Sequence, residues 1–297
     1  MPLLLDILGC THPIIQGPVG ALNSPRLVAA ICEAGAFGML AMGFIGDPEE
    51  ARRLVREVRE LTDRPFGANL MTMNPVNEQL LEVLAEEGIK TVTTSAGSPG
   101  KIYTKIHELG MTGLHVLLAL PYAVKAESAG VDGVVVSGLE SGGLRSVKPE
   151  SSTMVLVPLI ADAVNVPVVA AGGIADSRGY KAALALGAQG VQLGTRFLAS
   201  EESPAPKEWK EAILKCGDGG TTLLPIGPMT MRVVINERLQ REIDDPTVDL
   251  SKTYDLGRAV EAWTTGNLDL FPAGGGQVSA LIKEIQPVKD IIEEMVS

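Results

Sequence analysis

Two short apolar runs that end in glycine lie one helix apart in the second half of the chain, at residues 168–174 and 191–196. Glycine at such a position is typical of a backbone that approaches a ligand closely or adopts a positive φ. Asp176 and Ser177 follow the first run and are good helix N-caps, so free helix amides would face the same place. Tight turns alone would also use these glycines, but two such ends in succession predict a phosphate cradle.

The spacing of the apolar runs predicts an α/β fold, a (β/α)8 TIM barrel. Short β-branched runs alternate with helix-like segments up to about residue 200, which is typical of a parallel sheet. Such a barrel needs about 250 residues, and its last two loops commonly hold phosphate. The clearest predicted helix spans residues 47–61. The predicted strands are residues 13–16, 38–42, 65–70, 91–95, 114–118, 133–137, 167–171 and 190–193.

The regular alternation ends after Ser200. We expect residues 1–297 to form one domain, with residues 201–255 as an insertion or lid after strand eight. Within it, the stretch from 217 to about 251 has no clear pattern and is interpreted as irregular. Helix-like segments at 256–264 and 277–295 close the chain. Residues 271–276 between them contain three successive glycines and are interpreted as a flexible linker; the alternative is a loop whose backbone contacts a cofactor or the open end of the barrel.

Several classes of protein are disfavoured by composition and motifs. The net charge is -11 and no Lys/Arg cluster is present, so a nucleic-acid partner is not expected. The three cysteines and three histidines form no CxxC, HxH or HExxH grouping, which predicts free thiols and no metal site. GxGxxG, GxxxxGK[ST] and GxSxG motifs are absent. With neither a signal peptide nor a membrane span, a soluble cytoplasmic protein is expected.

Five segments of the sequence, taken in order, resemble the FMN-binding barrels that include nitronate monooxygenase and the flavin-type enoyl-acyl-carrier-protein reductase. They are residues 13–20, 64–70, 138–143, 171–176 and 192–197. The resemblance covers almost the whole chain, and residues 277–292 are similar to the family's closing helix. It implies an FMN-dependent oxidoreductase of the nitronate monooxygenase type, which oxidises a small anionic or electron-rich substrate.

The resemblance also implies which residues bind FMN. The first group of residues would lie against the flavin ring, and it includes two glycines of the loop after strand six that allow this loop to approach the ring. The second group would contact the pyrimidine or ribityl groups of FMN. The third group would hold the phosphate through backbone amides and one hydroxyl. Asn69 could instead be a strand-end turn former, and Gln192 could make a structural hydrogen bond. The first group is Gly17, Pro18, Val19, Gly142 and Gly143; the second is Asn69 and Gln192; the third is Gly172, Gly173, Gly194 and Thr195.

The chain departs from the family pattern at two positions. Pro18 has no N–H to offer the flavin. Leu144 stands where relatives commonly have the histidine that moves a proton or orients the substrate, so we assign Leu144 and Arg145 to the substrate pocket and leave the catalytic residue unidentified. Arg145 is either an anion-binding group or a solvated charge. His115, near the end of strand five, is either a substitute acid/base or a structural residue.

Two other functions remain open. One is an NAD(P)H-dependent enoyl-thioester or quinone reductase that uses the same flavin, with NADH or NADPH as reductant. The other is a flavin-binding barrel with altered or no catalysis, because of Leu144. The partner is expected to be a small-molecule substrate, since the acidic chain would repel an acidic carrier protein. A homodimer is left open.

Overall fold

In a computed structural model of the protein, residues 3–20, 22–146 and 151–297 are described. Eight parallel strands of these residues form one sheet, and three further strands form a small antiparallel sheet. No helix of the described residues is long and apolar enough to cross a membrane. The barrel strands are β1 (Ile14–Gln16), β2 (Met39–Ala41), β3 (Gly67–Met71), β4 (Thr91–Ser95), β5 (Thr112–Leu117), β6 (Gly133–Ser137), β8 (Val168–Ala171) and β9 (Gly190–Leu193); the small sheet contains β7 (Gly143–Ser146), β10 (Thr221–Ile226) and β11 (Met229–Val234).

The large sheet closes on itself. Its strand order is β1-β9-β8-β6-β5-β4-β3-β2, and β1 also bonds Phe37, two residues before β2. The Phe37 amide donates to the Ile14 carbonyl at 2.8 Å, and the Gln16 amide donates to the Phe37 carbonyl at 2.9 Å. The fold is therefore a (β/α)8 TIM barrel, and all eight predicted strands are confirmed with small shifts at their ends.

A helix that the sequence did not predict closes the amino-terminal end of the barrel. This helix, α1 (Leu4–Leu8), places Leu4 and Leu8 in the same apolar cluster as the barrel-interior residues Ile15 and Phe37. The packing leaves no room for a side chain at Gly190, where an added Cβ would lie 2.5 Å from the Pro13 carbonyl oxygen. With this end filled, the barrel interior is accessible from the carboxyl ends of the strands.

An outer layer of helices covers the barrel. The predicted helix at 47–61 is confirmed as α3. The helix begins here because Asp47 accepts a hydrogen bond from the Glu49 amide at 3.0 Å and Pro48 fits the first turn. The apolar stripe of α3, which includes Leu54 and Val58, packs inward. The layer consists of α2 (Pro25–Glu33), α3 (Pro48–Arg59), α4 (Asn77–Glu86), α5 (Ile102–Glu108), α6 (Leu120–Ser128), α7 (Thr153–Ala161), α8 (Ser177–Ala185) and α14 (Val288–Val296).

The prediction of an irregular stretch from 217 to about 251 is wrong. Residues 221–234 form the hairpin of β10 and β11, and β7 pairs with β11 on its other side. Leu224 of β10 and Met231 and Val233 of β11 are buried, and Gly227 adopts a φ of +56° at the turn of the hairpin. The other helices of this region are α9 (Thr195–Leu198), α10 (Lys207–Lys215), α11 (Glu237–Asp244), α12 (Leu250–Thr253) and α13 (Leu256–Thr265).

Two predictions for the end of the chain also change. Residues 271–276 are buried rather than a flexible linker. The predicted helix at 277–295 is a short 3-10 helix, Gln277–Leu281, followed by extended chain and then α14. Pro287 stands at the N-cap of α14, and the residue before a proline disfavours the helical conformation, so α14 cannot extend further towards the 3-10 helix. The predicted helix at 256–264 is confirmed as α13.

The three cysteines are free, as predicted. Burial raises the pKa of the Cys10 thiol to about 11 and that of Cys32 to about 12. Both thiols therefore stay protonated and unreactive near neutral pH.

Candidate functional site

A cavity of about 650 Å³ opens at the carboxyl ends of the barrel strands. This volume falls within the range of small-molecule sites, which is about 300–1,000 Å³. The small sheet lies beside it and contributes Met229 and Met231 of β11 to its wall. All the residues that the family resemblance assigns to the cofactor line this one cavity: Gly17, Pro18, Val19, Asn69, Gly142, Gly143, Gly172, Gly173, Gln192, Gly194 and Thr195.

The phosphate end is predicted in the loops after β8 and β9. Gly172 and Gly173 have φ values of +93° and +77°, which favour glycine. An added Cβ at Gly194 would meet no atom within 4 Å, so this backbone faces open space. Among the hydrogen bonds of the described residues, none uses the amides of Gly172, Gly173 or Gly194 as donors. These amides are available to an anion.

Thr195 begins α9, directly after Gly194. Its hydroxyl oxygen accepts a hydrogen bond from the Gly276 amide at 2.9 Å, and this contact is buried. A hydroxyl can accept and donate at the same time, so the Thr195 proton remains available to a phosphate oxygen. The structure therefore adds a second role for Thr195, which is to hold the chain at Gly276.

Residues 274–276, here named the glycine strap, cross the cavity next to the phosphate end. The Trp209 indole donates to the Gly274 carbonyl at 2.7 Å, and the Gly275 amide donates to the Arg232 carbonyl at 3.2 Å. An added Cβ at Gly276 would lie 2.8 Å from the Glu140 carbonyl oxygen. The prediction of a linker is therefore wrong, and the alternative of a loop at the open end of the barrel is correct. Three successive glycines were the signal.

Two amide side chains lie deeper in the cavity. Asn69 is buried and donates from Nδ2 to Thr93 Oγ1 at 2.8 Å. Gln192 differs, because its buried Oε1 has no hydrogen-bond partner among the described residues. Buried polar atoms are nearly always paired, so this acceptor in the cavity wall is suited to a donor from a ligand or a water molecule.

The opposite wall is apolar. Leu144 lies on β7, where the sequence predicted a loop, and it pairs with Met231 of β11. Both side chains line the cavity. The mouth is also apolar, with Phe44, Met73 and Tyr122 exposed around it. Neither Leu144 nor Met231 can transfer a proton.

Arg145 is buried, so its interpretation as a solvated charge is wrong. Its Nη1 donates to the Leu139 carbonyl at 2.8 Å and lies 3.3 Å from the Gly138 carbonyl. Arg232 donates from Nε to the same Leu139 carbonyl at 3.2 Å. Burial and the neighbouring positive charge of Arg145 lower the pKa of Arg232. The two arginines hold the loop that follows β6.

His115 contributes to the cavity lining, but its ring is engaged elsewhere. Nδ1 lies 2.7 Å from Thr94 Oγ1, and the ring packs edge-on against Tyr103 at 6.4 Å. Its neighbours along β5, Leu114 and Val116, belong to the barrel-interior cluster, so His115 lies on the outer face of the strand. Burial lowers its pKa to about 4. The structure favours the structural alternative for His115.

Comparisons with known proteins cover the whole chain. A sequence model of the nitronate monooxygenase family matches residues 1–297. A nitronate monooxygenase of Pseudomonas aeruginosa is 33% identical, over 98% of this chain and 97% of that protein. One of Paraburkholderia phytofirmans is 31% identical, over 98% and 93%.

Solved structures give the same result. FabK from Thermotoga maritima is 36% identical with a TM-score of 0.89, over 100% of this chain and 95% of that one. A nitroalkane oxidase from Streptomyces ansochromogenes is 27% identical with a TM-score of 0.83, over 98% and 96%.

Proposed function

Because the chain belongs to the nitronate monooxygenase family of flavin-dependent oxidoreductases, we propose that it binds FMN in the barrel-top cavity and oxidises a small anionic or electron-rich substrate such as a nitronate. The observation that carries this proposal is that every residue assigned to the cofactor by the family resemblance lines one cavity.

The donors present fit FMN. Unused amides of Gly172, Gly173 and Gly194 are suited to a terminal phosphate, since charge-assisted hydrogen bonds are stronger than neutral ones. The unpaired Oε1 of Gln192 is suited to a hydroxyl donor such as those of a ribityl chain. Gly17, Pro18 and Val19 would lie against the ring. When bound, the flavin supplies the two-electron redox chemistry that these side chains lack.

The apolar wall decides which substrate form is favoured. Leu144 and Met231 exclude water from their side of the cavity but cannot remove a proton from carbon. A nitronate has already lost its α-proton, whereas a neutral nitroalkane must lose it first. We therefore propose that preformed nitronates are the better substrates. The insertion at 201–255 would act as a lid, through the contribution of β11 to the wall.

Anaerobic mixing of the purified protein with a nitronate, with the matching neutral nitroalkane, and with NADH or NADPH tests the proposal. The flavin absorbance is expected to bleach with the nitronate and more slowly with the nitroalkane. Absence of bleaching by any nitronate, in a preparation that dithionite still reduces, would refute it.

A second function is favoured by the apolar mouth. Exposed Phe44, Met73 and Tyr122 suit an apolar substrate better than a compact anion. That observation supports an NAD(P)H-dependent enoyl-thioester or quinone reductase. In the same experiment, bleaching by NADH or NADPH and reoxidation by crotonyl-CoA or menadione would select this function. A flavin that none of these compounds reduces would select the barrel without catalysis.

A further inference from the structure

We infer that Thr153 and Glu140 are positioning residues, which aim the amides of Gly172 and Gly173 at the cofactor phosphate. The inference rests on the proposed function, because it takes the group at the phosphate end to be the phosphate of FMN. Thr153, the first residue of α7, is buried and is not among the residues that line the cavity. Its influence on a ligand therefore has to pass through the backbone that it contacts.

The Thr153 side chain lies against the carbonyl groups at the end of β8. Its Oγ1 is 2.9 Å from the Gly172 carbonyl oxygen and 3.3 Å from that of Ala171. A peptide group is planar and trans, so its N–H points opposite to its C=O. The Ala171 carbonyl shares a peptide group with the Gly172 amide, and the Gly172 carbonyl shares one with the Gly173 amide. Holding both carbonyls on Thr153 therefore points both amides away from it.

Glu140 fixes the Thr153 side chain in this place. Its Oε2 accepts a hydrogen bond from the Thr153 amide at 2.9 Å and another from the Thr153 hydroxyl at 2.9 Å. One carboxylate thus holds both the backbone and the side chain of Thr153, which restricts the hydroxyl to one rotamer. Glu140 is itself tethered, because its carbonyl accepts from the Gln277 amide at 2.9 Å, directly after the glycine strap.

The contact is more than an ordinary helix cap. Asp47 caps α3 by accepting from an amide two residues further along the chain, whereas Glu140 lies 13 residues before Thr153 and on the loop after β6. The neighbouring backbone leaves room for it, since a Cβ at Gly138 would overlap both the hydroxyl and the amide of Thr153. The Gly138 amide also donates to the Ala171 carbonyl at 3.0 Å. These bonds join the loop after β6 to the phosphate end.

Titration of the apoprotein with FMN and with riboflavin, which lacks the phosphate, tests the inference through tryptophan fluorescence. Thr153→Val and Glu140→Ala are each expected to raise the FMN dissociation constant, by an amount comparable to the roughly 10- to 100-fold loss seen when groups that orient metal ligands are removed. The riboflavin dissociation constant is expected to stay unchanged, because the two amides serve only the phosphate. The phosphorus NMR signal of bound FMN is expected to shift in both variants.

Three variants serve as controls. Thr153→Ser keeps the hydroxyl, and Glu140→Gln keeps an acceptor oxygen while it removes the charge, so both are expected to recover the FMN affinity. Asp47→Ala removes a capping carboxylate outside the cavity, and it is expected to bind FMN as the parent does.

Any of three results would overturn the inference while the proposed function stands: an FMN affinity in Thr153→Val equal to that of the parent, an equal loss of FMN and riboflavin affinity, or a failure of serine to recover the loss. An unshifted phosphorus signal in both variants would count against it in the same way. A parent apoprotein that binds no FMN would instead refute the proposed function itself.

Discussion

Replacing Thr195 with valine removes one hydroxyl and keeps the shape of the side chain, so it separates the two roles of this residue. The hydroxyl accepts from the Gly276 amide at 2.9 Å. Without it, a buried N–H is left unpaired, which costs roughly 1–3 kcal/mol of stability. Loss of a donor to the FMN phosphate would cost a further 1.5–3 kcal/mol or so of binding free energy. That loss corresponds to an FMN dissociation constant roughly 10- to 150-fold higher.

The two losses are measurable separately. Trp209 and Trp263 are the only tryptophans of the chain, they lie 5.1 Å apart, and both line the cavity. Quenching of their fluorescence on titration of the apoprotein with FMN therefore gives the dissociation constant directly. Urea unfolding of the same apoprotein gives the stability. Thr195→Ser is the control, since it restores the hydroxyl and is expected to recover most of both losses.

Each measurement on Thr195→Val tests one of the two proposed hydrogen bonds of the hydroxyl. An unchanged FMN affinity in Thr195→Val would show that the hydroxyl does not contact the phosphate. An unchanged urea midpoint would show that its bond to the glycine strap contributes nothing to stability. If serine recovers neither loss, the effect comes from packing and the reasoning about hydrogen bonds is wrong.

Three further outcomes are expected. Gly173→Asp should weaken FMN retention more than Thr195→Val, because it adds a carboxylate to the phosphate end at a φ of +77°; Gly88→Asp, at +80° with nothing within 4 Å of its added Cβ, is the control and should retain FMN. Leu144→His should raise turnover of neutral nitroalkane more than of nitronate, by up to about 10²-fold; equal half-reactions with FMN still bound would mean that position 144 does not face the substrate. The pKa of His115 is about 4 in the folded state and about 6.5 in the unfolded state. Between these values the unfolded state binds more protons, so the free energy of unfolding of the parent should fall by up to about 3 kcal/mol as pH falls from 6.5 to 4. Urea unfolding of His115→Gln should not show this pH-dependent loss of stability. The same pH dependence in His115→Gln and the parent would contradict the assignment.

The barrel and its site were predictable because their signals are local. Each buried parallel strand is a short apolar run, and the site glycines follow directly after such runs, as at Gly172 and Gly194. Parallel topology then brings all carboxyl ends to one side of the barrel. The family resemblance assigned Asn69 and Gln192 to the cofactor, and their positions on β3 and β9 bring them to the same opening.

The wall opposite the phosphate end was not predictable, because its structure depends on contacts between residues far apart in the sequence. Residues 143–146 become a strand only because β11 pairs with them, and that partner lies more than eighty residues further along the chain. The glycine strap has the composition of a linker, and its burial depends on distant contacts with Trp209 and Arg232. The buried state of Arg145 follows from the same sheet, so a sequence pattern alone could not distinguish it from a solvated charge.

The flavin content of the purified protein tests the central claim most directly. Acid denaturation should release a yellow compound that chromatography and mass spectrometry identify as FMN, with one molecule per 31.2 kDa chain. A colourless protein precipitate under a yellow supernatant would show that the flavin is not covalently attached. A colourless protein that also fails to take up added FMN, with unchanged tryptophan fluorescence, would contradict the assignment of the cavity, and so would stoichiometric release of FAD.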